Sequence, residues 1–358
     1  MNIGDSLFDL ETPALWVDLD TMENNIRLMA KTMRDAGVNW RPHTKGIKIP
    51  AIAHMLLDAG AIGVTCAKIT EAEFMAAAGV KDILIGNQVV GRSKIARLIA
   101  LQSKSDVMCA VDDLGNAAEI SAAAVEAGVK VRVLIEVNIG MDRAGIAPFE
   151  TAIDLAKKLL ELPGLRFMGF MGWEGHIVGI ADPLEKDQAG REAMRKLVGT
   201  VEMARKAGVP VEIVSCGGTG SYKISAYTLG VTEIEAGGAC FGDRTYKAWG
   251  ADTTPSLFVL TTVTSSNTAG RAIVDGGRKT FDARINPIPV GLDGVVYDHA
   301  SSEHGTLVIT NPDVHLKVGD KINMLVGYGD WTVYLHDRLI GIRGGKVEQI
   351  WEIPHRVS

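Results

Sequence analysis

Two patterns of apolar and polar positions divide this chain. From residue 14 to about residue 254, apolar runs of strand length alternate with amphipathic runs of helical period. The strand-like runs lie at 15–20, 38–42, 63–67, 82–87, 106–112, 130–138, 165–173, 212–218 and 232–238. Several helical runs end in Ala-Gly, where glycine fits the left-handed C-cap of a helix. This repeated alternation predicts an α/β fold built on a parallel (β/α)8 TIM barrel.

The second pattern follows about residue 254, where helical periodicity fades and alternating runs such as LFVLTTVTS and KINMLVG take over. Such runs, separated by turns, predict a C-terminal antiparallel β domain. We therefore expect a barrel over residues 12–250 and a β-rich domain over residues 1–11 and 251–358. An open Rossmann sheet would need a GxGxxG turn after its first strand, and VDLDTMENN stands there instead.

Composition narrows the possible classes of protein. The 358 residues are 47% apolar, which provides enough material for two cores. A net charge of -6 and the lack of a basic block argue against a nucleic-acid partner. Apolar runs are too short to span a membrane, and no signal peptide is visible. Four cysteines without a CxxC pair indicate reduced thiols, so we expect a cytoplasmic protein.

The stretch RPHTKGIK, residues 41–48, carries the first candidate chemistry. Lys45 follows a predicted strand, and the chemistry of α/β folds lies at the carboxyl ends of strands. Arg41, His43 and Lys48 surround Lys45 with positive charge, which favours the free amine. A free amine forms a Schiff base with an aldehyde. The alternative interpretation is a solvated basic loop that precedes a helix.

Two glycine-rich strand ends follow later in the chain. SCGGTGSY, residues 215–222, combines glycines with the hydroxyls of Ser215, Thr219 and Ser221, and such a loop can bind a phosphate. The next strand ends at Gly237 and Gly238. Successive glycine-rich loops at the last strands are typical of phosphate sites in β/α barrels. Each loop alone is equally well explained as a tight turn.

Two further segments lie past predicted strand ends. VNIGMDRAGI places Arg143 where its guanidinium can bind a phenolate or carboxylate, or else pair with Asp142 on the surface. MGWEGH places Trp173, Glu174 and His176 at the next strand end, where they fit either substrate binding or core packing. A lysine, a phosphate loop and an arginine on one barrel rim suit pyridoxal 5'-phosphate (PLP).

The same motifs resemble the D-threonine aldolase and D-serine dehydratase group, which shares the alanine racemase fold of PLP enzymes. RPHTKGIK is similar to the lysine motif of this group, so the resemblance implies that Lys45 is the Schiff-base lysine. EVNIGMDRAGI implies that Arg143 approaches the phenolic oxygen of PLP. The remaining similar segments are MGWEGH with Trp173, VSCGGTGSY with Ser215, Gly218 and Thr219, EAGGACFGD with Gly237 and Gly238, and the β-domain segment SSEHG.

One segment departs from the group. Members of the group typically bind a divalent metal (Mg²⁺ or Mn²⁺) through a His-x-Asp or His-x-Cys pair. In this chain the corresponding triplet is Tyr328-Gly329-Asp330, in which tyrosine replaces the histidine. A phenol is a poor ligand for a hard cation unless it is ionised. Asp330 therefore remains a candidate metal ligand without its usual histidine partner. Tyr328 is a candidate acid–base group, alongside Lys45 and His43, or it simply fills space.

The resemblance implies a PLP-dependent lyase that cleaves the Cα–Cβ bond of a β-hydroxy-D-amino acid into glycine and an aldehyde. The missing metal histidine favours an amino-acid racemase as the main rival, and a D-serine or 3-hydroxyaspartate dehydratase ranks third. A non-catalytic PLP carrier is the alternative from another class. The expected partners are a small amino-acid substrate and, because the β domain of such enzymes closes the partner's site, a second copy of the chain.

Overall fold

The computed structural model describes residues 1–354. In chain order, the first strands and helices are β1 (Ala14–Asp18), α1 (Leu19–Ala36), β2 (Asn39–Trp40), α2 (Pro50–Asp58), β3 (Val64–Cys66), α3 (Ile69–Ala77), β4 (Asp82–Gln88), α4 (Arg92–Leu101), β5 (Asp106–Val111), α5 (Leu114–Glu126), β6 (Val131–Glu136), α6 (Glu150–Leu160), β7 (Leu165–Met171), α7 (Pro183–Lys206), β8 (Ile213–Cys216), α8 (Tyr222–Ser225) and β9 (Glu233–Ile234). The later elements are α9 (Arg244–Ala248), β10 (Leu257–Thr268), β11 (Arg271–Val274), β12 (Ile288–Pro289), β13 (Val295–Ala300), β14 (Gly305–Ile309), β15 (Lys321–Leu325), α10 (Gly329–Thr332), β16 (Arg338–Arg343) and β17 (Lys346–Glu352).

The chain forms two compact units, which we call the barrel unit (residues 29–237) and the β unit (residues 1–28 with the described chain from 238 onward). The unit boundaries lie at 28/29 and 237/238, whereas the sequence-based domain boundaries lie at 11/12 and 250/251. Residues 355–358 of the predicted β-rich domain lie outside the described residues.

The barrel unit contains an eight-stranded parallel sheet in the order β2-β9-β8-β7-β6-β5-β4-β3, counted over the described residues. The two end strands are joined just beyond β2. The Thr65 N–H donates to the carbonyl of Pro42 at 3.0 Å, and the Thr44 N–H donates to the carbonyl of Thr65 at 2.7 Å. These bonds close the sheet into a ring, and the predicted TIM-type barrel is confirmed.

Inward-facing side chains fill the barrel because successive strand residues point to opposite faces of the sheet. One buried cluster comprises Leu84, Met108, Ala110, Leu134, Met168 and Met171. The helices cover the outside and begin at recognisable caps. Asp113 accepts a hydrogen bond from the N–H of Asn116 at the start of α5. Asp182 caps α7, whose first residue is Pro183.

The β unit contains a nine-stranded sheet, counted within residues 1–354, in which β10 pairs with β1, β11 and β15. Its strand pairs are antiparallel except β1 with β16. The predicted antiparallel β domain is therefore confirmed, with one parallel pair inside it. Leu7, Leu10, Trp16, Leu260 and Ile340 belong to a buried cluster of this unit.

The sequence predicts that the strand at 15–20 belongs to the barrel, and this prediction is wrong. β1 belongs to the β unit, where it pairs with β10 and β16. Its first four residues are buried, and the Trp16 ring stacks on Phe258 with 4.7 Å between centroids. A strand buried on both faces has a continuous apolar sequence, which cannot be distinguished by periodicity from a parallel barrel strand.

Within residues 1–354, the helices are either too short or too polar to traverse a lipid bilayer. The four cysteines (Cys66, Cys109, Cys216 and Cys240) are buried free thiols, as the sequence predicted. Burial raises the pKa of the Cys66 and Cys109 thiols to about 12, so both stay protonated at neutral pH.

A buried ion network lies beneath the junction of β2 and β9. The Arg41 guanidinium, whose side chain is 2% exposed, donates to Glu233 at 3.0 Å and to Asp82 at 2.7 Å. Arg132 also contacts Asp82 at 2.8 Å. Arg41 thus links the starts of β4 and β9 to the segment that closes the barrel.

We predict that Arg41→Met destabilises the protein by about 3–5 kcal/mol, because Glu233 would remain as a buried charge without its partner. Urea unfolding monitored by circular dichroism would measure the loss. Arg166→Met is the matched control, since Arg166 forms an exposed ion pair with Glu212 and its removal should cost less than about 1 kcal/mol. Equal losses in the two variants would contradict the assigned role of Arg41.

Candidate active site

The lysine segment is fixed on both sides by neighbouring strands. The His43 N–H donates to the carbonyl of Glu235 at 2.9 Å, and Thr44 is bonded to Thr65. Lys45 therefore lies past the carboxyl end of β2, as predicted from the sequence. Lys48 has a positive φ of 59°, an uncommon conformation for a residue with a side chain. Such strain often marks functional segments.

The predicted crowd of cations around Lys45 is only partly present. Arg41 is neutralised by Glu233 and Asp82, and the Lys48 amine lies 2.9 Å from Glu71. His43 remains beside Lys45, with its Nδ1 accepting from the Lys45 backbone N–H at 3.3 Å. Burial, assisted by the charges of Lys45 and Arg143, holds the pKa of His43 well below its usual value. His43 is thus a neutral imidazole whose proton lies on Nε2.

Arg143 lies in the loop after β6 and is about half exposed. Its guanidinium is 3.5 Å from Glu136, the last residue of β6, which is 3% exposed. Glu136 also accepts a hydrogen bond from the Gln88 side chain at 2.7 Å. Asp142, the alternative partner suggested by the sequence, instead accepts from the Asn138 amide. The buried carboxylate of Glu136 therefore holds Arg143 at the barrel rim.

The indole of Trp173 connects the lysine to the first glycine-rich loop. The Lys45 Nζ lies 5.9 Å from the centroid of the Trp173 ring. A Cβ atom at Gly218 would lie 2.4 Å from the same ring, so only glycine allows the loop to pack there. The amine and the loop thus both lie next to one indole, and Lys45 makes a cation–π contact with it.

The loop itself, residues 217–221, has a tightly bonded backbone, and we call it the glycine loop. Gly217 has a φ of +79°, and the Gly218 N–H donates to the Ser221 Oγ at 3.0 Å. Thr219 is buried within it. Gly237 packs against the lysine segment, because a Cβ there would lie 1.9 Å from the carbonyl oxygen of His43. These glycines are required for packing, and the backbone that they leave uncovered can accommodate an anion.

Ser215 does not face the glycine loop. Its hydroxyl donates to Glu235 at 2.8 Å inside the barrel, where the Glu235 carboxyl lies near Gly86 and Thr65. Burial, with a smaller contribution from Glu233, raises the pKa of Glu235 to about 7. Nothing in the sequence marked Glu235, because a glutamate near a strand end is usually exposed.

Tyr328 and Asp330 lie in the β unit, in a cluster with Tyr246 and Trp249. The Tyr246 hydroxyl donates to Asp330 Oδ1 at 2.8 Å, and the Tyr328 hydroxyl donates to Asp330 Oδ2 at 3.2 Å. The Tyr328 ring lies 5.6 Å from Tyr246 and 5.7 Å from Trp249. In the same unit, a Cβ at Gly238 would lie 2.3 Å from the Tyr246 ring.

Both phenols of this cluster are held neutral. Burial raises the pKa of Tyr246 and of Tyr328 well above the usual value, and the Asp330 carboxylate adds to both shifts. Tyr328 is therefore suited to donate a proton or a hydrogen bond, whereas a role as a base would need the disfavoured phenolate. The sequence missed Tyr246 because 84 residues separate it from Asp330.

The surroundings of Asp330 do not fit a divalent cation. Within residues 1–354, no three His, Cys, Asp or Glu side chains are grouped so that they could bind a metal. Each carboxylate oxygen of Asp330 accepts a phenol hydroxyl instead. A neutral phenol is a weak ligand for Mg²⁺ or Mn²⁺. Asp330 therefore serves these two phenols and not a metal ion.

The residues of the barrel unit fit PLP. They supply an amine at a strand end, a neutral histidine, a rim arginine held by a buried carboxylate, and a glycine loop next to the same indole as the amine. This donor set matches a cofactor with an aldehyde, a phenolic oxygen and a phosphate. The fold and this site together define a barrel of the alanine racemase class.

Comparison with known proteins agrees with that class. The model of the alanine racemase N-terminal domain matches residues 17–245, and a serine dehydratase domain model matches residues 256–342. The first match covers more than half of the chain. The chain belongs to the alanine racemase N-terminal domain family, and the resemblance seen in the sequence is confirmed.

The most similar relatives found include two aldolases. A D-threonine aldolase of Arthrobacter sp is 35% identical over 99% of this chain and 94% of its own length. A 3-hydroxy-D-aspartate aldolase of Paracoccus denitrificans is 34% identical over 97% of this chain and 92% of its own. The crystal structure of D-threonine aldolase from Filomicrobium marinum has a TM-score of 0.96 at 34% identity, covering 99% of this chain and 98% of that one.

We predict that Glu235→Gln makes the protein progressively more stable than the wild type between pH 4.5 and pH 7. The folded protein holds the Glu235 proton more tightly than the unfolded chain, so this contribution is complete below pH 4.5 and is lost as the pH rises to about 7. The difference should grow by roughly 3 kcal/mol across this window.

Urea unfolding of both proteins at several pH values would measure this difference. The control variant is Glu126→Gln, because Glu126 is exposed. The difference in free energy of unfolding between this variant and the wild type should not grow by a similar amount across the same pH window. A constant difference for Glu235→Gln would show that the Glu235 carboxyl does not titrate in this range.

Proposed function

We propose that this protein is a PLP-dependent lyase of the D-threonine aldolase type. It would cleave the Cα–Cβ bond of a β-hydroxy-D-amino acid and release glycine and an aldehyde. The observation that carries the proposal is that Lys45 and the glycine loop both lie next to the Trp173 indole, at the carboxyl ends of the barrel strands. The near full-length similarity to two aldolases supports the reaction type and the D configuration.

The cofactor would be held by residues of the barrel rim. Lys45 would hold its aldehyde, Arg143 its phenolic oxygen, and the glycine loop with Thr219 its phosphate, next to Gly237 and Gly238. PLP, when bound, supplies an electron sink that weakens the bonds at the substrate Cα.

The remaining chemistry falls to side chains of the chain itself. His43, as a neutral imidazole, accepts from the Lys45 N–H and positions the lysine segment. Glu136 orients Arg143 towards the ligand that it binds. Ser215, which the sequence predicts at the cofactor, instead donates its hydroxyl hydrogen to Glu235 inside the barrel and is assigned no role in binding the cofactor.

Tyr328 is the proposed acid–base group of the β unit. Its neutral phenol can donate a proton or a hydrogen bond to a bound ligand, and the Asp330 carboxylate orients the hydroxyl group by accepting a hydrogen bond from it. Tyr246 holds the other oxygen of Asp330 and so fixes the direction of the carboxylate. Asp330 is proposed to act in this network and not as a metal ligand.

The site chemistry argues weakly against a racemase and more strongly against a dehydratase or a non-catalytic PLP carrier. A racemase would also use Lys45 and a tyrosine, so it remains the second candidate function. A dehydratase must expel hydroxide, which needs a strong acid or a metal, and the Asp330 surroundings do not fit a metal. A PLP carrier would not need the Tyr246–Asp330–Tyr328 network.

We also propose a cytoplasmic homodimer. Four buried free thiols suit a reducing compartment. The dimer is proposed by analogy with PLP enzymes of this fold, in which the β domain closes the partner's site.

We predict that Lys45→Ala removes the visible absorbance of bound PLP and all activity, because no amine would remain to hold the aldehyde. Absorption spectra and activity of the purified variant would measure both. The matched control is Lys48→Ala, since the Lys48 amine pairs with Glu71 rather than facing the cofactor, and it should retain the absorbance. Retention of both properties by Lys45→Ala would rule out Lys45 as the cofactor lysine.

We predict that D-threonine or D-3-hydroxyaspartate is cleaved to an aldehyde and glycine, and that EDTA does not abolish the reaction. The first result follows from the proposed reaction and the second from the phenol contacts of Asp330. Aldehyde release and the chirality of recovered substrate should be measured together, with and without EDTA.

Each other outcome of this assay has a distinct meaning. Aldehyde release that EDTA abolishes would contradict the assigned role of Asp330 and restore it as a metal ligand. Loss of optical purity without aldehyde would contradict the aldolase and establish the racemase. Formation of a keto acid would establish the dehydratase.

A further inference from the structure

A buried carboxyl group lies directly against the glycine loop. Glu174 follows β7 and is 1% exposed. Its Oε2 accepts a hydrogen bond from the Gly217 N–H at 3.3 Å. Its Oε1 makes no hydrogen bond to any residue in the described part of the chain. A fully buried carboxyl with a free acceptor and no ion pair is uncommon and requires an explanation.

The groups that face Glu174 come from three segments. Ser221 in the glycine loop and Ser225 in α8 contribute hydroxyls, and the Gly217 amide contributes its N–H. The titratable neighbour on β8 is Cys216, whose pKa burial and Glu174 raise well above its usual value, so the thiol is neutral. The charged side chains that shift His176, in the same segment as Glu174, are Lys196 and Asp142.

The balance of these influences favours the protonated carboxyl. Burial raises the pKa of Glu174, and the hydroxyls and amides lower it by less. The groups that shift this pKa most include no cation. Glu174 is therefore able to remain a carboxylic acid at a pH where an exposed glutamate would be ionised.

Two consecutive side chains of one segment thus hold two consecutive glycines. The Trp173 ring packs on Gly218, and the Glu174 carboxyl binds the Gly217 N–H. Gly217 adopts a left-handed φ of +79°, which sets the course of the loop after β8. The loop shape therefore depends on the segment after β7 as well as on its own sequence.

We propose that Glu174 is a positioning residue of the glycine loop, which it holds through Gly217 so that the loop can bind the phosphate of the cofactor, and that it does so as a neutral carboxylic acid. This inference rests on the proposed function, because it requires PLP as the ligand. The neutral form is needed because a carboxylate would place negative charge beside a phosphate that is itself nearly dianionic.

The test compares two ligands that differ only in the phosphate. Full-length wild type, Glu174→Ala and Glu174→Gln would be stripped of cofactor and titrated with PLP and with pyridoxal, using visible absorbance. Glu174→Ala should weaken PLP binding by about tenfold and leave pyridoxal binding nearly unchanged, since one loop hydrogen bond is lost. Glu174→Gln keeps an oxygen for the Gly217 N–H and should bind PLP like the wild type at low pH.

A pH series separates positioning by a neutral acid from a purely structural role. As the pH rises, the wild type should lose PLP affinity relative to Glu174→Gln, because only the wild type acquires a negative charge at this position. The ionisation of the phosphate itself affects both proteins equally, so it cancels when the PLP dissociation constant of the wild type is divided by that of Glu174→Gln. Glu235→Gln is the matched control, since Glu235 is also a buried acid but is bonded to Ser215 and not to the loop.

The results that would overturn the inference are distinct. Equal weakening of PLP and pyridoxal by Glu174→Ala, or the same selective loss in Glu235→Gln, would show a general structural effect. If the ratio of the PLP dissociation constants of wild type and Glu174→Gln does not change with pH, the neutral state of Glu174 is overturned. This ratio can be measured even if Glu174→Ala does not fold. A wild-type protein that binds neither ligand at Lys45 would instead overturn the proposed function, and this inference with it.

Discussion

The barrel depends on how β2, one of its two shortest strands, is held. β2 has only two residues and pairs with β9, so backbone bonds alone give it little support. The buried guanidinium of Arg41 compensates, because it binds carboxylates at the starts of β4 and β9. Two residues later the backbone is again bonded on both sides, to Glu235 and to Thr65. Lys45 therefore follows a segment of backbone, residues 41–44, that is held in place by these contacts.

A short series of contacts connects the lysine segment to the rest of the candidate site. The segment that carries Lys45 packs on Gly237, the lysine lies over Trp173, and Trp173 packs on Gly218. Amine, indole and glycine loop are thereby fixed relative to one another without an ion pair between them. The cofactor chemistry proposed here needs such rigidity, because the reacting bond must be held in one orientation to the electron sink.

The sequence predicted the architecture well because alternation of strand and helix has few structural solutions. It also located Lys45, Arg143, Trp173 and the glycine loop at strand ends. Side-chain partners were less predictable. Ser215 turns away from the loop to Glu235, and Tyr246 meets Asp330 across 84 residues of chain. Such pairings depend on packing that no local pattern records, and the apolar run at 15–20 was equally compatible with either sheet.

The position of Trp173 has an optical consequence. Indole fluorescence responds to nearby charge and to groups that accept its excitation energy. The Lys45 amine lies within 6 Å of the centre of this ring, and the glycine loop packs against the same indole. Any ligand that reacts with the amine or enters the loop changes the electric field at the indole. The barrel therefore contains a natural fluorophore at the centre of its site, which reports occupancy without an added label.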